Sequence, residues 1–225
     1  MKKFFLCALL ASFVASVAAA DSIELVSSGA TNTLVAGGTY QTGPNPLNFF
    51  NGWEITITGS SSSPGLSPYG LDLQVLAICA SGNCLTNPLD VFFSDTGFSP
   101  SVPAGGFQTT YSATDTGGGA TRAITWADST NTIFGGGFPT PVGTDHLGTV
   151  GPFSGSGGFG TASGGPAEVS PYSLTIEDIF TAGASGTSSF STDADVTATP
   201  EPSSLLLLSS GLIGLGFMKW KVFQS

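Results

Sequence analysis

Trp53-Glu54-Ile55-Thr56-Ile57-Thr58 alternates apolar and polar side chains without a break. Successive side chains of a β-strand point to opposite faces, so this pattern places Trp53, Ile55 and Ile57 against a core and the other three toward water. The same period of two recurs on either side. Leu71, Leu73, Val75 and Ala77 alternate with Asp72, Gln74 and Leu76, and Phe190, Thr192, Ala194 and Val196 alternate with Ser191, Asp193 and Asp195. Shorter β-type runs at 23–27, 90–93, 107–113, 121–127, 131–134 and 172–180 are separated by Gly, Pro, Ser and Asn clusters. No window supports a long amphipathic helix. About nine short strands with turn signals between them predict an all-β fold, an antiparallel β-sandwich of jelly-roll-like wiring.

Outward from these strands the glycine content becomes conspicuous. Twelve of the 31 positions from Gly135 to Gly165 are glycine, and a run with so few side chains to bury is expected to form a long loop, with short strand pieces around 147–150. Cys79 and Cys84 are separated by the turn-like Ala80-Ser81-Gly82-Asn83. In an oxidising compartment such a pair is expected to be bridged, pinning a hairpin end after the strand that ends at Cys79.

Charge narrows the function. Fourteen of the fifteen acidic residues lie between Asp21 and Thr199, where Arg122 is the only Lys or Arg. Nucleic acids are held by cations neutralising phosphates, so nucleic acid is excluded as a partner, and docking of this region on an anionic bilayer is disfavoured. No cofactor is expected either. Gly155-x-Gly157-x-x-Gly160 has the spacing of a dinucleotide loop but follows no buried parallel strand and opens no helix. The single histidine, His146, lies in a turn-like Thr144-Asp145-His146, and no Gly-x-Ser-x-Gly elbow is present, so a Ser-His-Asp site is not expected.

Three further patterns leave room for chemistry. Asp193-x-Asp195 or Glu177-Asp178 could supply oxygens to calcium, although the solvent-facing position of Asp193 and Asp195 also fits simple solubilising acids. Glu54 and Glu177 are candidates for a glycosidase pair if they face one another. Tyr40, Phe138, Phe153 and Phe159 could stack on sugar rings or plug the ends of the sandwich.

The two ends of the chain are addresses. Residues 1–20 pair Lys2 and Lys3 with an apolar run and close on Ala18-Ala19-Ala20, which reads as a secretory signal peptide cut by signal peptidase after Ala20, with Ala18 and Ala20 as its small-residue site. An uncleaved anchor is the alternative. At the other end, Pro200-Glu201-Pro202 is followed by the uncharged run Leu205 to Met218 and by Lys219-Trp220-Lys221. As a helix, 203–218 would be about 24 Å long, slightly under the roughly 30 Å of a hydrocarbon core, with the lysines and Trp220 able to reach the interface. Lys219 and Lys221 would stop transfer and hold the tail in the cytoplasm.

This order of Pro-Glu-Pro, short apolar helix and basic patch resembles the PEP-CTERM sorting signal of Gram-negative bacteria. The resemblance implies that an exosortase, an integral-membrane transpeptidase-like enzyme, cleaves near Pro200-Glu201-Pro202 and passes the protein to the cell envelope, cell surface or extracellular matrix. A plain C-terminal anchor on a Pro-rich stalk is the competing reading. The expected organisation is therefore a signal peptide at 1–20, a β-sandwich at 21–199 and a sorting or anchor segment at 200–225. The expected function is a non-enzymatic structural or adhesive component of the envelope or exopolysaccharide matrix, with a carbohydrate-binding module as the alternative and a polysaccharide hydrolase behind it.

Overall fold

The computed structural model describes residues 22–27, 30–35, 39–41, 50–61, 69–80, 82–99, 101–136, 145–184 and 187–198. The expected signal peptide and the whole expected sorting segment, with Ala18, Ala20, Pro200, Glu201, Pro202, Lys219 and Lys221, lie outside these residues. Among the described residues no helix is long and apolar enough to cross a membrane.

Twelve strands form the described structure: β1 (Ser22–Ser27), β2 (Ala30–Val35), β3 (Thr39–Gln41), β4 (Trp53–Ser61), β5 (Tyr69–Cys79), β6 (Leu89–Phe98), β7 (Phe107–Thr116), β8 (Ala120–Asp128), β9 (Asp145–Ser154), β10 (Gly158–Gly164), β11 (Tyr172–Thr181) and β12 (Ser189–Ala198). They make two six-stranded antiparallel sheets, β2-β1-β6-β11-β8-β9 (sheet A) and β10-β7-β12-β5-β4-β3 (sheet B). From β5 to β12 every connection except β8 to β9 passes from one sheet to the other, as jelly-roll wiring requires. The expected antiparallel sandwich is the fold observed.

The alternating residues build the core as their period dictates. Trp53, Ile55 and Ile57 of β4, Leu71, Leu73 and Val75 of β5, and Phe190, Ala194 and Val196 of β12 are buried from sheet B. They meet Leu25, Val91, Phe93, Leu174, Ile176 and Phe180 from sheet A. Trp53 stands at the centre of one end, its ring centroid 6.5 Å from Phe180 and 6.0 Å from Phe190, while its indole N–H donates to the Asn87 carbonyl at 2.9 Å. A buried indole with its one donor satisfied contributes apolar burial without a desolvation penalty.

Three expectations are corrected. Residues 131–134 are not a strand: a 3₁₀ turn spans Ile133–Gly136. The Asp128 carboxylate accepts from the Thr130 amide and hydroxyl and from the Thr132 hydroxyl, and Asn131 takes a positive φ of 55°, so local side-chain hydrogen bonds outcompete the strand ladder. The glycine-rich stretch is not one long loop, and the short strand pieces expected around 147–150 fall within β9. Its described part forms the edge strands β9 and β10, each at the end of its own sheet. Glycine serves close approach here: a Cβ on Gly160 would stand 2.7 Å from Val150 Cγ1, across the seam between the two sheets. The Cys79–Cys84 disulfide is present, with Cα atoms 5.6 Å apart. It pins the crossover from β5 in sheet B to β6 in sheet A, not a hairpin end, because Cys84 lies in a 3₁₀ turn (Gly82–Leu85) that redirects the chain between sheets.

Candidate functional site

The outer face of sheet B collects the polar half of each alternating strand. Register places Thr58 beside Gln74, Gln74 beside Asp193, Asp193 beside Ser112, and Ser112 beside Phe159. Neighbours in register share a face, so this row runs across five strands, about 19 Å at 4.8 Å per strand. The adjacent row is Thr56, Leu76, Ser191 and Thr114. Between the two rows lies a groove of about 440 Å³ lined by Thr56, Thr58, Gln74, Leu76, Ser112 and Asp193, among others. Its floor is short hydroxyl and amide side chains, which offer donors and acceptors at low entropic cost on ordering. Leu76, 42% exposed, gives it one apolar patch, and Phe159, 69% exposed, stands at the β10 end of the row.

One row further along, Ser60, Asp72, Asp195 and Thr110 are in register. Asp72, Asp193 and Asp195 each bring a carboxylate oxygen within 4.8 Å of the others. Asp72 Oδ2 accepts from Ser60 Oγ at 3.3 Å, and Asp195 Oδ2 accepts from Thr110 Oγ1 at 3.0 Å. Burial, then the charges of Asp195 and Asp193, push the Asp72 carboxyl up to about 6. Burial also raises Asp195, against the Thr110 hydrogen bond. The face is therefore strongly acidic at one end of the groove, which disfavours polyanions there. The solvent-side position read for Asp193 and Asp195 agrees with the structure. Asp72 was not linked to them by spacing, because only the β5–β12 register brings it there.

Other sequence candidates separate. Glu177 lies on the outer face of sheet A and Asp178 points into the core, so the two adjacent acids cannot share one ligand sphere. Glu54 is on the outer face of sheet B, across the whole sandwich from Glu177, and the two do not form a glycosidase pair. His146 Nε2 pairs with Thr149 Oγ1 at 2.9 Å and its ring meets Trp126 edge-on, which occupies it structurally. Gly155 and Gly157 lie in the corner between β9 and β10 and Gly160 in β10, with no helix beyond it. Phe153 packs flat on Tyr111, ring centroids 6.0 Å apart, and is a plug for the sandwich edge. Of the four named aromatics, Phe159 is the one whose described side chain is free to meet a ligand. Phe138 and the Tyr40 side chain lie outside the described residues.

Comparison with known proteins places one feature. The model of the PEP-CTERM protein-sorting motif matches residues 198–219. No curated protein matches the chain. Among solved structures, the carbohydrate-binding module TmCBM61 in complex with beta-1,4-galactotriose is similar over 71% of this chain and 99% of its own, at 12% sequence identity and a TM-score of 0.28. The chain thus carries, from the last residue of its final described strand onward, the PEP-CTERM sorting motif of an exosortase substrate.

Proposed function

We propose that this protein is an adhesive component of the cell envelope or exopolysaccharide matrix, exported by its N-terminal signal peptide and processed at Pro200-Glu201-Pro202, and that its β-sandwich binds a neutral polysaccharide across the outer face of sheet B. The observation that carries the binding reading is the groove itself. It is open, four strands wide, floored with Thr, Ser and Gln, and lined by the exposed Leu76, while the exposed Phe159 stands beside it on β10 in register with Ser112; both suit the C–H faces of sugar rings. Asp193 in the groove and Asp72 and Asp195 beside it favour uncharged chains over uronic-acid polymers. The groove holds no paired carboxylates across a cleft and supports binding in preference to glycoside cleavage.

Affinity electrophoresis and calorimetry of the full chain with neutral and acidic polysaccharides test this. Saturable binding to a neutral polymer is expected, with Phe159→Ala and Leu76→Ala each weakening it about fivefold to tenfold, since roughly 1 kcal/mol of ring or alkyl contact is lost. Both side chains are exposed, so the melting temperature should hold. Binding left intact by both substitutions, or found for none of the neutral polymers, would remove the groove from the account.

A further inference from the structure

The groove on sheet B has a direction, and that direction restricts what fits it. Each of four strands contributes one short window to the lining: Thr56 and Thr58 of β4, 74–76 of β5, 191–193 of β12 and 112–114 of β7. Register makes these windows a single level of the sheet, since Thr58 pairs with Gln74, Gln74 with Asp193 and Asp193 with Ser112. The groove is therefore long across the strands, about 14 Å over three strand spacings, and narrow along them, about 7 Å over two residues. Its two flanks differ. Gln74 and Asp193 stand in one row, and Leu76 stands in the other between Thr56 and Ser191.

The ends decide which part of a ligand can enter. Thr58 is exposed at the β4 end, and beyond Ser112 the row continues to Phe159 on β10, 69% exposed. A site that selects a chain terminus needs a group that blocks the next unit. Every described lining residue belongs to one of the four strands, and none comes from a connecting segment folded over either end.

We infer that the groove holds an internal stretch of an extended neutral glycan, laid across the strands with the chain continuing past both ends. This rests on the binding proposed above and adds which part of a polymer, and which shape of polymer, is recognised. Pyranose rings joined through opposite equatorial positions advance by roughly one strand spacing per unit, so the row from Thr58 to Phe159 spans about four units. Gln74 offers both a donor and an acceptor to ring hydroxyls, the Asp193 carboxylate accepts from them, and Leu76 meets the C–H surface of the rings. A coiled α-1,4-glucan leaves a straight track after one or two units and would use only part of it. A long chain has many internal stretches and few ends, so one polymer carries many copies of the protein, as an adhesive matrix component requires.

Calorimetry of the full chain with ladders of cello-, manno- and xylo-oligosaccharides tests this, with malto-oligosaccharides as the coiled comparison. For at least one extended ladder, affinity should rise about tenfold or more between two and four units and then level off. Reducing one end to the alditol and methylating the terminal hydroxyl of the other should leave the affinity of long oligomers within about twofold. Gln74→Ala and Asp193→Asn should each weaken binding about fivefold to tenfold, and Phe159→Ala should bring the plateau forward by one unit. Full affinity with a single unit or two, loss of binding on capping either end, a plateau unmoved by Phe159→Ala, or binding confined to malto-oligosaccharides overturns the inference and leaves the groove a saccharide site of another kind. So does binding of a neutral polymer when no extended ladder is bound. Absence of binding to every ladder and every neutral polymer removes the groove reading itself, and this inference with it.

Discussion

Asp178 points inward from β11 and is fully buried. Thr192, inward from β12, donates to its Oδ2 at 2.7 Å, while Oδ1 has no partner. Tyr111 and Thr121 hydrogen-bond to one another and extend the polar layer between the sheets. Burial pushes Asp178 up to about 8, with the Thr192 hydrogen bond opposing and Asp193 adding to the rise. Glu177, facing outward on sheet A, is also raised to about 8, by burial and then by Asp90, with Arg122 opposing. The sign follows from proton uptake. Between the ordinary carboxylate range near 4 and about 8 the folded protein holds protons that the unfolded chain has released, so these two groups make stability fall as pH rises through that window. Asp178→Asn keeps an oxygen to accept from Thr192 and removes the titration. Thermal melts from pH 5 to 9 should therefore show a shallower decline for the variant, with its melting temperature overtaking wild type above about pH 8. Equal slopes for the two proteins would mean that Asp178 does not titrate in this range.

At the scale of elements, the seam where β9 and β10 close the two sheets depends on backbone that only glycine provides. Gly157 has φ of 91°, and a Cβ there would lie 2.0 Å from the Ala113 carbonyl oxygen, whereas Gly155 has φ of 86° with nothing within 4 Å. Gly155→Ala should then cost only the left-handed backbone penalty, about 1 kcal/mol, and Gly157→Ala about 3 kcal/mol or more, measured by urea unfolding. Near-equal costs would mean that β10 shifts freely against β7. The disulfide is a separate element-scale device. Reducing it opens a small loop at the β5–β6 crossover and should cost about 2 kcal/mol, seen as a lower urea midpoint in dithiothreitol. These elements also mark how far the sequence could be read. Strands with one buried face, such as β4, β5 and β12, announce themselves through a period of two. β10 does not, and β9 showed only its 147–150 piece, because glycine carries no hydrophobic signal even where it is the packing surface. The 131–134 segment misled for another reason, since Asp128 and Asn131 are weak strand formers and the Asp128 carboxylate accepts from the Thr130 amide and the Thr132 hydroxyl in place of a ladder. The candidate sites were least legible. Asp72 is more than a hundred residues from Asp193, and only the β5–β12 register places them together.

For the whole molecule, the sorting motif and the acidic sandwich pose one connected question, whether the domain is released from the membrane. The motif was legible because it is contiguous in sequence: Pro200-Glu201-Pro202, an uncharged apolar run and a basic patch in fixed order. β12, whose last residue is Ala198, is a central strand of sheet B, hydrogen-bonded on both sides by β5 and β7. Cleavage at 200–202 would fall just past the last ladder residue and would leave the sandwich intact. Upstream cleavage would remove an inner strand and with it Phe190, Ala194 and Val196 from the core. Intact mass of the protein recovered separately from membrane, wall and medium should therefore show a form that begins at Asp21, ends near Pro202 and retains cooperative unfolding. Changing Pro200-Glu201-Pro202 to Ala-Ala-Ala should leave the apolar segment attached and the protein in the membrane fraction. A full-length membrane form in both proteins would make the C-terminal segment an anchor, and the sheet-B face would then act at the membrane surface and not in a released matrix.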